Sequence, residues 1–400
     1  MKKIIFFLLL IILISGFVYK LYLNKNLSAS LSIEKEAIQQ GNFLNDKKAV
    51  LYFSTTADQD MDGKGVSLAV FIKDSGEADA FKMKGLELGS VATSQNEVLL
   101  VDKNKIRLVG DTYKEFGMDK SQYTGERTGY LEKEKLYFTV FNTGVGAKGG
   151  YDSNILYGNK GGFHKENIPH YIAASGIDQS EIVVLTQDNL KEEFHIRKVK
   201  LSKNDMTTQD ILIINHSKET NFSTMSAILS DETFYYFVGQ KTLGEVTETI
   251  DTDIVLYRIN KNTHAQDEFT ISSYRDEKNI TAHYPFNIKN SAHLYNDILY
   301  YANGLGEVFE FETKTGKVNK TLTMKNVRKD GVRHNEELFY KDDNLYVVRH
   351  DAKLKEKYYI EHYSLTRGKK IENIKINGLN DILQSIKGKS IYSYDFKMLK

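Results

Sequence analysis

An all-β fold built from radial repeats is what this sequence predicts, and three observations predict it. The 400 residues include 25 Tyr and 21 Phe, with no Trp, no Cys and only 2 Pro, and aromatic and β-branched side chains suit the pleated, half-buried surface of strands. A short apolar-aromatic triplet recurs along the chain at intervals mostly in the forties. Beyond residue 41 short apolar runs alternate with turn clusters, and no long amphipathic helix interrupts them. Together these point to a seven-bladed β-propeller, one four-stranded sheet per repeat, preceded by one N-terminal hydrophobic helix. Eight blades is the rival count, and a pair of β-sandwiches is the rival architecture.

The N-terminal segment comes first. Lys2 and Lys3 precede 15 uncharged residues from Ile4 to Val18, and counting on to Leu23 gives 20. Twenty residues make about 30 Å of helix, enough for one bilayer span. Lys20 can snorkel to the interface, and Tyr19 and Tyr22 suit the headgroup belt. Gly16 to Tyr19 offers a poor cleavage site, and Ser28-Ala29-Ser30 lies too far along. Residues 1–24 therefore read as an uncleaved signal anchor, with the remainder outside the cytoplasm; secretion after cleavage is the alternative. Lys20 and Lys25 follow the span, so the charge difference across it is small. Residues 25–46 read as a stalk or short helix, with Ile33, Ala37 and Ile38 at helical spacing and Gly41 as a stop.

The propeller is assigned to residues 47–400. Its triplets are centred on Tyr52, Leu100, Tyr137, Val184, Tyr235, Tyr300, Tyr346 and Ile391, with gaps of 48, 37, 47, 51, 65, 46 and 45. Seven copies make seven blades. The last, within 382–399, is an extra segment placed to complete the first blade and close the ring. The fullest copy runs from Asn296 to Lys317: a strand through Leu299-Tyr300-Tyr301, a turn at Asn303-Gly304, a second strand, then a turn at Thr315-Gly316. This copy resembles the blades of quinoprotein-like (PQQ-type) propellers, in which such a hairpin recurs. The resemblance implies architecture and no chemistry. PQQ dehydrogenases stack their cofactor on tryptophan, which is absent from this chain, so no PQQ is expected.

Composition narrows the chemistry. Lys and Arg number 54 against 53 Asp and Glu, without a basic block, so nucleic acid is not an expected partner. The lack of cysteine removes disulfides, thiolate nucleophiles and thiolate-bound zinc. No G-x-S-x-G nucleophile elbow is present.

Three groups of residues stand out as sites. Asp58, Asp60 and Asp62 followed by Gly63 match the first half of a calcium loop, with the carbonyl of Lys64 as a fourth ligand. The loop departs from an EF-hand where Ala69 replaces the bidentate glutamate, and a solvated acidic turn is the other reading. Long connections at 142–150 and 239–252 are expected on the same rim, where binding usually resides. Arg127, His170, Tyr171, His283, Tyr284, Arg333 and His334 fall at crossings into inner strands, so they are candidates to converge at a channel mouth. The other seven histidines show no ligand spacing.

The expected function is a non-enzymatic surface propeller that binds an unknown protein, or a glycan or other cell-envelope ligand, on its loop-rich rim. Its rival is a membrane-anchored carbohydrate-active enzyme, a lyase or glycosidase, working at the channel mouth.

Overall fold

The computed structural model describes residues 32–145, 150–188, 191, 193–203, 205–215, 221–243, 250–278, 280–328 and 334–400. The hydrophobic segment read as an anchor and the first part of the stalk lie outside the described residues, as does Arg333. No helix among the described residues is long and apolar enough to cross a membrane.

Seven antiparallel sheets follow one another along the chain. Blade 2 spans 91–117, blade 3 125–168, blade 4 171–213, blade 5 221–277, blade 6 292–323 and blade 7 337–376. In each, strands run from the channel axis outward in sequence order, except that the innermost strand of blade 5 is split into Asn221–Thr224 and Leu229–Ser230. Blade 1 takes its second, third and outer strands from Lys47–Ser54, Val66–Lys73 and Ala78–Lys84. Its inner strand is the last of the chain, Tyr392–Met398, which pairs antiparallel with Lys47–Ser54 through Ala49↔Met398, Leu51↔Phe396 and Ser54↔Tyr392. The ring is therefore seven blades, closed by the C-terminus as the repeat count predicted.

The recurring triplets are the second strands, and the packing explains their composition. Such a strand has a neighbouring blade on each face, and successive side chains point to opposite faces. Leu51 packs toward blade 7, in a cluster with Val348 and Ile360, whereas Tyr52 packs toward blade 2 with Val98 and Leu100. Tyr300 faces blade 7, and Tyr301 faces blade 5. Seven clusters of this kind fill the seven gaps between blades. Burial of one such Tyr or Leu contributes about 2–3 kcal/mol.

Outer strands read differently. Lys369–Ile376 at the edge of blade 7 is exposed along most of its length, and its lysines and glutamate discourage further strand addition. Two short helices cover open ends. Lys35–Ile38 follows a backbone hydrogen bond of 2.8 Å from Ile33 N to Ala80 O, and Ile33 and Ile38 join the core between blades 1 and 2. From Ser32 onward, then, the expected stalk or short helix is docked on blade 1. Leu379–Ser385 places Leu379 and Ile382 in the core between blades 7 and 1, just before the closing strand.

Candidate functional site

Inner strands begin at one end of the channel, and their first residues surround a cavity of about 570 Å³. Its wall is mostly aromatic and aliphatic: Tyr171, Tyr284, Phe286, Tyr392 and Tyr394 with Leu88 and Ile172. The connection from blade 5 to blade 6 lies across the channel as a floor. It carries Pro285 between two 3-10 turns, Ile280–His283 and Ile288–Asn290, the second capped by Asn287 accepting from Lys289 N at 2.8 Å. Three other blades and blade 5 itself hold this floor. Asn287 Nδ2 donates to Glu337 Oε2 of blade 7 at 2.7 Å and to Tyr394 O of blade 1 at 2.8 Å. Asn290 Nδ2 donates to Asp395 of blade 1 at 2.8 Å, and Ser291 Oγ donates to Met225 O of blade 5 at 2.6 Å. Arg127 of blade 3 reaches the Lys289 carbonyl at 3.4 Å. Beneath the floor a smaller space of about 340 Å³ lies among the ends of the inner strands, with Arg127 and Lys289 bordering both.

The polar groups sit at the depth of this floor. Ser175 Oγ donates to the Glu126 carboxylate at 2.8 Å and accepts from Arg127 Nε at 2.6 Å, so one hydroxyl joins an acid to a guanidinium. Lys289 Nζ donates to the Leu88 carbonyl. Leu88 is itself held at φ 53°, left-handed backbone that is uncommon for a non-glycine residue. Burial pulls the Lys289 ammonium down to about 8, against the opposing pull of Glu126 and Asp395. Its surface is nevertheless partly accessible, because it borders the cavity. Glu337 is 1% exposed, and burial pushes its carboxyl up to about 8, against hydrogen bonds from Asn287 and Ser393. The cavity thus combines an apolar wall with an acid that is protonated at neutral pH and two cations.

Four of the predicted mouth residues meet here: Arg127, Tyr171, Tyr284 and His334 all line the cavity. Tyr171 packs edge-on to Tyr151 at 4.9 Å, and the His334 ring lies 4.8 Å from Tyr392. Two others do not line it. The carbonyl of His170 accepts from Ser153 Oγ at 2.7 Å, while burial and the nearby Arg197 lower the affinity of its ring for a proton. His283 is buried in a turn of 3-10 helix with its ring against Tyr274 at 3.7 Å. No histidine cluster forms at the mouth among the described residues.

The 58–64 loop connects the second and third strands of blade 1, as expected, and its Thr56 reaches the cavity. Two of its three carboxylates are taken by lysines. Asp60 is buried, accepting from Lys103 Nζ at 2.5 Å and from Gly65 N. Asp62 accepts from Lys64 N at 3.0 Å and Lys389 Nζ at 3.1 Å, and Asp58 is exposed. No group of three or more acidic or histidine side chains is gathered to hold a metal among the described residues. The other two long connections are strand extensions: one hairpin of blade 3 pairs as far as Val145↔Tyr151, and one of blade 5 as far as Leu243↔Asp251.

Comparison with known proteins now adds a family. The description "YycP, beta-propeller domain" matches residues 42–399. The chain belongs to the YycP β-propeller family. A member from Bacillus subtilis (strain 168), bearing the name Uncharacterized protein YycP, is 29% identical over 359 residues, covering 89% of each chain. Among solved structures, the AfRom2 CNH domain is similar with a TM-score of 0.41 at 10% identity, over 76% of this chain and 92% of that one. BamB from Moraxella catarrhalis gives a TM-score of 0.40 at 10% identity, over 71% and 73%. The seven-bladed ring is thus the scaffold of this YycP family member.

Sequence reasoning missed Glu126, Ser175, Asn287, Lys289 and Glu337 as site residues. One signal points to two of them. The chain has only 2 prolines, Pro169 and Pro285, and both sit at crossings into inner strands. A proline there fixes the path of a connection that donates no backbone hydrogen bond at that point. Pro285 lies two residues before Asn287 and four before Lys289.

Proposed function

We propose that this chain is a membrane-anchored, extracytoplasmic propeller that binds a protein or cell-envelope ligand on its mouth face, with an apolar part of the ligand entering the cavity. The observation that carries this reading is the aromatic cavity on a face that also displays large apolar side chains. Met61 is 89% exposed and Val145 77% exposed, and both lie in the connections that share this face with Leu88 and Tyr123. An apolar pocket with a few fixed polar groups at its base is the usual form of a ligand site. Apolar residues gathered on one surface of a soluble domain mark an interaction face.

A photo-cross-linker tests the reading. Placed at Met61 or Leu88 of the full chain in cells, it captures a discrete partner; placed at Ile371 on the outer strand of blade 7, it does not. Tyr171→Ala and Tyr284→Ala lower the yield by about fivefold or more, the scale of an aromatic anchor. Equal capture at Ile371 overturns the assignment of the face.

A second reading, the carbohydrate-active enzyme, draws on one observation: Glu337 holds its proton near neutral pH inside the same cavity, the state of a general acid. Turnover of a polysaccharide panel that is lost in Glu337→Gln would replace the binding reading with the enzymatic one.

A further inference from the structure

Five arginines of this fold lie against a carboxylate, and Arg127 does not. Arg107, Arg197, Arg258, Arg275 and Arg349 each lie within 3.1 Å of a carboxylate oxygen. Arg127 has no carboxylate within ion-pair distance among the described residues. Its Nε is held by Ser175 and its Nη2 by the Lys289 carbonyl, which fixes the guanidinium plane while it borders the cavity. Lys289 is in the same position: its ammonium meets a carbonyl oxygen and forms no ion pair among the described residues. Two adjacent cations therefore share one enclosed space.

Among the described residues, none of the acids lining the cavity touches either cation directly. Glu87 accepts from Ala57 N at 3.2 Å on the rim, Glu126 accepts from the Ser175 hydroxyl and offsets part of the positive charge from there, and Glu337 is bonded to Asn287. Placing two cations side by side in a low-dielectric site is unfavourable unless something of opposite charge joins them. A rigidly held guanidinium suits a carboxylate. Around the pair, the wall is Tyr171, Tyr284, Phe286 and Tyr394, which suits a flat or aliphatic body.

We propose that the cavity binds a small carboxylate with an aromatic or short acyl body, its carboxylate bridging Arg127 and Lys289 and its body lying against the tyrosines. This deepens the mouth-face reading and rests on it.

The test uses an isosteric pair, 1-naphthylacetate and the uncharged 1-naphthylacetamide, titrated into the full chain in phospholipid nanodiscs. The acid is expected to bind at least about tenfold more tightly than the amide, the scale of a charge-assisted bidentate contact. Arg127→Met abolishes that preference, read as the ratio of acid to amide affinity, and Lys289→Met reduces it. A pH series on the unaltered protein supplies an independent readout should Arg127→Met fail to fold. As pH rises through about 8, Lys289 loses its proton, so affinity for the acid falls and affinity for the amide does not. Equal affinity for the two compounds overturns the proposal while leaving the mouth face as a binding face. Binding of neither also overturns it, and the cross-linking experiment then decides the mouth face separately.

Discussion

Arg349 is the largest fully buried side chain among the described residues, 2% exposed. Its Nε donates to Glu336 at 2.8 Å and its Nη1 to Glu361 at 2.6 Å, while Tyr363 and Lys370 share the second acid. Arg349→Met removes the cation shared by two buried carboxylates, so unfolding free energy is expected to drop by about 3–5 kcal/mol in a denaturant titration. Adding Glu336→Gln and Glu361→Gln recovers much of that loss. Glu337 makes a pH prediction. Between its ordinary value of 4.5 and about 8 the folded chain keeps a proton that the unfolded chain has released, so stability falls as pH rises across that window. Glu337→Gln flattens the slope, and at pH 8 it melts above the parent, by on the order of 3 kcal/mol in stability. Residues of this kind were hard to read from sequence. Ser175, Glu126 and Lys289 look like any polar residue near a turn until the inner strands are set around one axis. His170 and His283 looked equally eligible, yet neither lines the cavity, and the His283 ring packs on Tyr274 instead.

Elements were more legible than residues, for a physical reason. A second strand packed between two blades needs large apolar side chains on both faces, so it writes a continuous triplet into the sequence. Inner strands line a channel and outer strands face water, and neither carries so strong a mark; Gly125–Leu131, for example, mixes Glu, Arg and Thr with glycine. The closing strand was legible because it is an eighth apolar segment with no blade of its own. A chain ending at Lys387 loses that strand and uncovers Leu51 and Phe53, which Phe396 and Met398 help to bury. Its melting temperature is expected to fall by about 10 °C or more, with new binding of a hydrophobic dye, and a peptide of residues 388–400 reverses both. The 58–64 loop makes another element-scale prediction. A calcium ion there has to replace Lys103 on Asp60 and Lys389 on Asp62. A melting temperature raised by calcium and lowered by chelator demonstrates the exchange; an unchanged one removes the ion from the account of this loop.

At the scale of the molecule, the seven cores between blades form a circuit in which each blade is supported by two neighbours. The tether proposed at the N-terminus leads into the edge of blade 1, whereas the mouth opens along the ring axis. Protease added outside the membrane is expected to degrade the propeller of the anchored chain, and carbonate washing leaves it in the membrane pellet; release into the wash, or protection from protease, contradicts that arrangement. The circuit also has a direction in time. Blade 1 begins with the first strands to be synthesised and is finished by the last, Tyr392–Met398. At a synthesis rate of about 5–20 residues per second, its inner edge stays open for tens of seconds. Until residues 392–398 leave the ribosome, the growing protein is an unlocked bracelet, and the floor that Tyr394 and Asp395 help to anchor cannot set. Release of Tyr392–Met398, rather than the arrival of any one blade, is the event that makes the cavity exist.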